Sequence, residues 1–187
     1  MHLARMRGFV KSGRFDGSFI WPALTRAGYG RSEDDLIRAI RENKSKQIVH
    51  YAVIGLMDLG GAKCLRVLKD LINYPSRDVR TTAVVAVGRI AQGQESDFYG
   101  SLLDDPVYKD KMYPMTVLWE VGTEVALPAV IRLAKKIITG KGSFSRGEID
   151  PRYVKQFLER YKNPETEPLI EQLGLIVKDM TFEDQNI

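Results

Sequence analysis

Apolar residues recur along this chain at steps of three and four, the spacing of one face of an α-helix. The clearest case is residues 76–92, SRDVRTTAVVAVGRIAQ. Val79, Ala83, Ala86, Val87 and Ile90 share one face there, and Ser76 and Asp78 supply oxygen acceptors where a helix should start. The pattern repeats. Ile48, Ala52, Leu56 and Leu59 align with Val79, Ala83, Val87 and Ile90, and then with Asp110, Pro114, Leu118 and Val121, at a step of 31 residues. Gly60, Ala91 and Gly122 close the three helices at equivalent points. Between them lie further apolar faces, Leu65, Leu68, Leu71 and Ile72 in one, and Ala126, Leu127, Val130, Ile131, Ala134 and Ile138 in another.

The pattern predicts helices over residues 33–43, 46–59, 62–73, 76–92, 93–105, 108–121, 124–138, 151–161 and 164–180. Ser32 with Asp35 is close to a capping box, and Thr123 is expected to cap the helix that follows it. Pro114 falls inside the third repeated helix, where a missing N–H should bend it. Residues 1–31 hold two short apolar clusters, 6–10 and 19–24, and read as an irregular N-terminal cap. Phe9, Phe15, Phe19, Ile20 and Trp21 are costly to leave in water; the alternative is a basic arm that reaches a partner. Residues 32–180 form the helical array, and 181–187 an acidic tail.

A pair of helices repeated every few tens of residues leaves an apolar face that only the next pair can cover. That is the signature of an α-solenoid, so the expected fold class is all-α. The run S-R-D-V-R-x-x-A-V-x-A-V-G, residues 76–88, resembles the second helix of a HEAT repeat, closest to the short variety named after phycobilisome lyases. Residues 122–131 resemble the turn and first helix of such a repeat. The resemblance implies a right-handed solenoid of about four to five helix pairs. The family's Asp and Arg fall on Asp78 and Arg80. The aligned positions elsewhere are Gln47 and Val49, then Lys109 and Lys111, so a ladder of Asp–Arg pairs is not expected to run through every repeat.

Charge and composition narrow the function. The net charge is only +4 over 187 residues, but it is uneven. Residues 1–31 carry six basic residues against Asp16, residues 132–162 nine basic against three acidic, and residues 163–187 Lys178 against six acids. Such asymmetry bears on association rather than on fold. A single cysteine, Cys64, excludes disulfide scaffolding within one chain and makes a reducing cytoplasm the expected compartment. No apolar run approaches the roughly 20 residues that span a bilayer, so no membrane partner is expected. His50 is the one histidine in the repeats, and no metal-ligand spacing, nucleophile elbow or nucleotide fingerprint is present. Neither enzymatic activity nor a cofactor is expected.

A stripe beside the core face of the repeated helices is the better candidate site. It contains Lys46 and His50 in the first copy, Arg77 and Thr81 in the second, and Tyr108, Met112, Met115 and Trp119 in the third. Aromatic residues are favoured in binding hot spots and methionine adapts to irregular surfaces. The same positions also suit packing between repeats. In HEAT-like solenoids the second helix of each pair lines the concave side, so the resemblance points this stripe at a protein partner, as in adaptors or toxin-neutralising immunity proteins. A basic set, Lys135, Lys136, Lys141, Arg146, Arg152 and Lys155, is a candidate anion site or a solvated face. Alternatives are nucleic-acid binding, in the manner of HEAT-like DNA glycosylases, and a bilin lyase-like factor suggested by the repeat subtype alone.

Overall fold

The computed structural model describes residues 18–140 and 149–184, with side chains to residue 180. The described residues are helical, with no strand among them. They fall into two compact units, Met1–Gln92 and Gly93–Ile187. Lys141 and Arg146, residues 1–17 of the expected cap and the end of the acidic tail lie outside the described residues.

The first unit contains α1 (Ile20–Arg26), α2 (Glu33–Glu42), α3 (Lys46–Leu59), α4 (Ala62–Asp70) and α5 (Arg77–Ala91), with a 3-10 turn, Leu71–Asn73, extending α4. Helix α2 packs on α3, α4 on α5, α3 on α5 and α2 on α4, while α1 rests on α3. Ala52, Leu56, Val79, Ala83 and Val87 of the expected stripe are fully buried, as is Val49, which the stripe does not include; Ile48 and Ile90 are half-buried and Leu59 is 44% exposed. Two sets of polar contacts fix how α3 and α5 lie. His50 Nε2 and Thr82 Oγ1 share a hydrogen bond of 2.9 Å near the starts of both helices. Near their ends, Arg89 Nε donates to the Met57 carbonyl at 3.0 Å, and Arg89 Nη2 meets Asp58 Oδ1 at 3.0 Å. The helices therefore run parallel, offset by 31 to 32 residues. This is the period of the sequence.

Helix α4 begins at Gly61, which has no side chain to cap it. Glu33 of α2 does so instead: Gly61 N–H and Cys64 N–H donate to its Oε1 at 2.9 and 3.0 Å. Lys63 and Asp34 pair beside this cap. Arg80 spends its guanidinium on the turn before its own helix, donating to the carbonyls of Tyr74 and Pro75 at 2.9 and 3.2 Å.

The second unit contains α6 (Ser96–Asp104), α7 (Met112–Val121), α8 (Leu127–Ile138), α9 (Pro151–Arg160) and α10 (Glu167–Asp184), with 3-10 turns Gln92–Glu95 and Glu124–Ala126 ahead of α6 and α8. Contacts between neighbours and next neighbours recur: α6 on α7 and α8, α8 on α9 and α10, α7 on α9, and α9 on α10. The cap motif of α3 recurs here with other residues. Arg160 Nη2 donates to the Leu118 carbonyl at 2.6 Å and the Tyr161 hydroxyl to the Gly122 carbonyl at 3.0 Å, closing the end of α7. Asp104 and Arg132 form a two-pronged pair, at 3.0 and 2.5 Å, between α6 and α8.

Several expectations need correction. Pro114 does not bend a helix. Helix α7 starts four residues later than expected, so Pro114 lies in its first turn, where the N–H has no intrahelical acceptor. The same holds for Pro22, Pro128, Pro151 and Pro168, each in the first turn of its helix. Thr123 makes no side-chain cap; its own N–H donates to Ser96 Oγ at 2.9 Å. Ala91 does not mirror Gly60 and Gly122. Those glycines end α3 and α7 in extended backbone, with N–H groups on Leu56 and Leu118 carbonyls. A Cβ there would stand 2.5 Å from Leu56 O and 2.6 Å from Leu118 O. Ala91 stays helical, and Gln92 ends α5 at φ 52°. Helix α10 runs on to Asp184, past the expected end at 180.

Candidate functional site

Helices α3 and α5 leave a pocket along the face beside their shared core. Its lining is Phe19, His50, Tyr51, Ile54, Met57, Asp78, Thr81 and Thr82, and its volume is about 270 Å³. His50 and Thr81 come from the stripe expected from the repeat; Phe19 reaches the site from the residue before α1. Phe19 was expected to be covered, yet it is 51% exposed and meets Tyr51 edge-on, ring centroids 5.6 Å apart. Ile20 and Leu24, on the same segment, are the ones buried.

The polar groups of this pocket are mostly engaged. Thr81 Oγ1 donates to the Arg77 carbonyl at 3.0 Å. Gln47 donates to the Tyr51 hydroxyl at 2.8 Å. Thr82 is joined to His50. Burial pushes the His50 pKa below its ordinary value, against the pull of the nearby Asp78 carboxylate. His50 is therefore neutral at pH 7. Asp78, on the first turn of α5, is exposed; its backbone carbonyl accepts from Thr81 Oγ1 at 3.4 Å, while its carboxylate makes no hydrogen bond or ion pair with any described residue.

The rest of the stripe is not a surface. Tyr108 is 6% exposed, Met112 7% and Met115 0%, so these three are not open to a partner as they stand; Thr81, although it lines the pocket, is only 6% exposed. Trp119 is half-buried and its ring packs on Tyr153 of α9, centroids 4.8 Å apart. Lys46 and Arg77, at the starts of α3 and α5, are exposed. The described members of the basic set are Lys135, Lys136, Arg152 and Lys155. Lys135 pairs with Glu165, Arg152 with Asp150 and Lys155 with Glu159, and Lys136 is exposed on α8.

Among the described residues no group of three or more His, Cys, Asp or Glu could hold a metal ion, and no helix is long and apolar enough to cross a membrane. Cys64 is buried; burial, with the Glu33 carboxylate beside it, pushes its thiol up to about 12. A thiol so protonated is not a nucleophile at neutral pH. The sequence matches no protein-family model and no curated relative.

Proposed function

We propose that this chain is a non-enzymatic protein-binding module, a right-handed α-solenoid of HEAT-like pairs whose second helices present a partner-holding face. It holds or blocks another protein, in the manner of an adaptor or of an immunity protein that neutralises a toxin. The observation that carries this reading is the pocket between α3 and α5, on the face of the repeated helices that such folds turn toward partners. A half-exposed phenylalanine at its edge is the kind of aromatic anchor that dominates binding energy. The parallel packing of α3 and α5 at the sequence period, and the recurrence of neighbour and next-neighbour contacts in each unit, support the solenoid.

Site-specific photocrosslinking in the native host tests the reading. A benzoylphenylalanine at Arg77 should trap one discrete protein, and the same probe at Arg66, exposed on α4, should not. The trapped protein, purified, should then bind the purified chain. Equal labelling from both positions, or none from Arg77, would sink it.

A further inference from the structure

The pocket between α3 and α5 has a definite chemical bias. Ile54 and Met57 supply an apolar wall, and Phe19 and Tyr51 supply two aromatic rings set edge to face. Thr81, Thr82, His50 and the Tyr51 hydroxyl are occupied by bonds within the protein. Among the described lining residues, what is left is one carboxylate, that of Asp78, to which no described residue donates. Its place on the first turn of α5 suits the helix dipole, but that does not satisfy its oxygens. With His50 neutral, Asp78 is the one formal charge among the described residues of the lining.

Size narrows the occupant. At about 270 Å³ the pocket lies below the roughly 300–1,000 Å³ of ordinary small-molecule sites, so it suits one side chain rather than a cofactor. An apolar wall ending at aromatic faces and a carboxylate matches a long aliphatic stem with a cationic head. We infer that this pocket receives a single arginine or lysine side chain of the partner protein, its stem along Ile54 and Met57 and its charge at Asp78 and the Phe19–Tyr51 rings. This rests on the protein-binding reading above and names what the partner inserts.

N-acetyl-arginine amide is the probe, titrated into the full-length protein while the His50 and Tyr51 ring resonances are followed by NMR. The citrulline counterpart has nearly the same shape without the charge. Saturable shifts are expected with the arginine probe and binding about tenfold weaker with citrulline, the scale of a charge-assisted hydrogen bond. Asp78→Asn should remove that preference. Phe19→Ala, at a half-exposed position, should weaken arginine binding by about threefold through loss of a ring face. Equal binding of arginine and citrulline, an undiminished preference in Asp78→Asn, tighter binding of N-acetyl-glutamate amide, or no shift at all would each overturn the inference. If crosslinking at Arg77 succeeds while the arginine probe fails, this inference alone falls. If the probe binds while crosslinking traps nothing, the pocket chemistry stands and the protein-binding reading falls.

Discussion

Arg89 donates from Nε to the carbonyl of Met57, so a side chain of α5 closes the C-terminus of α3. The last carbonyls of a helix have no intrahelical donor and carry its negative partial charge. A guanidinium answers both needs, and its second nitrogen reaches Asp58. The side chain is only 18% exposed, so the bond is partly shielded from water. Arg89→Ala should cost about 2 kcal/mol, the range of hydrogen bonds to charged groups. Arg89→Lys should recover less than half, since an ammonium cannot serve both acceptors in one plane. Urea unfolding of the three proteins measures this.

Glu33 caps α4 through two backbone N–H groups, and Cys64 lies within that cap. Glu33→Ala should lower stability by about 1–2 kcal/mol, as loss of an N-cap does. It should also speed labelling of Cys64 by a thiol reagent at pH 8, because a frayed α4 exposes a thiol that is otherwise held protonated. In the parent protein labelling should track unfolding. An unchanged labelling rate in Glu33→Ala would show that the carboxylate does not hold the first turn.

His50 has a lowered pKa in the fold, caused by burial. Between that value and the ordinary one near 6.5, the unfolded chain binds the proton that the folded chain refuses. Stability from this group is therefore complete above about pH 6.5 and is lost as pH falls through the folded pKa. His50→Gln should flatten that part of the stability curve. Measuring unfolding at pH 7.5 and 5.5 for both proteins checks it; a parallel decline in the two would assign the pH effect elsewhere.

Gly60 and Gly122 are needed for space and not for unusual dihedrals. Their φ values, −78° and −64°, are open to any residue. A methyl group at either site would press on a carbonyl one turn back, and at Gly60 also on Cys64 Sγ at 2.7 Å. Alanine at each position should cost about 1–3 kcal/mol, the range for overpacking, read as a drop in melting temperature.

The helices were legible because burial and periodicity are the same fact seen twice. Residues 46–59 and the match of Ala52 to Ala83 carried both α3 and its register against α5. The place of Pro114 in its helix is not legible, because Tyr108 and Met112 continue the apolar spacing backward, and spacing does not reveal where a first turn begins. Met115 and Thr81 were open between surface and packing, since a stripe beside a core belongs to whichever neighbour covers it. The caps by Glu33, Arg89 and Arg160 leave no local trace, because each joins residues 28 to 42 positions apart. Phe19 entered the site for a related reason: composition marks it as apolar, and only the direction of the chain ahead of α1 decides that Ile20 and not Phe19 turns inward.

Five helices open with a proline in the first turn: Pro22, Pro114, Pro128, Pro151 and Pro168. Each of these starts is written into its own segment, so the stretch upstream is free to change in length without shifting the helix that follows. Strict spacing is then dispensable wherever such a marker stands. A foreign peptide spliced between Pro106 and the 78% exposed Val107, ahead of the buried Tyr108, should leave the onset of α7 untouched, which makes that connection a natural place to attach a reporter.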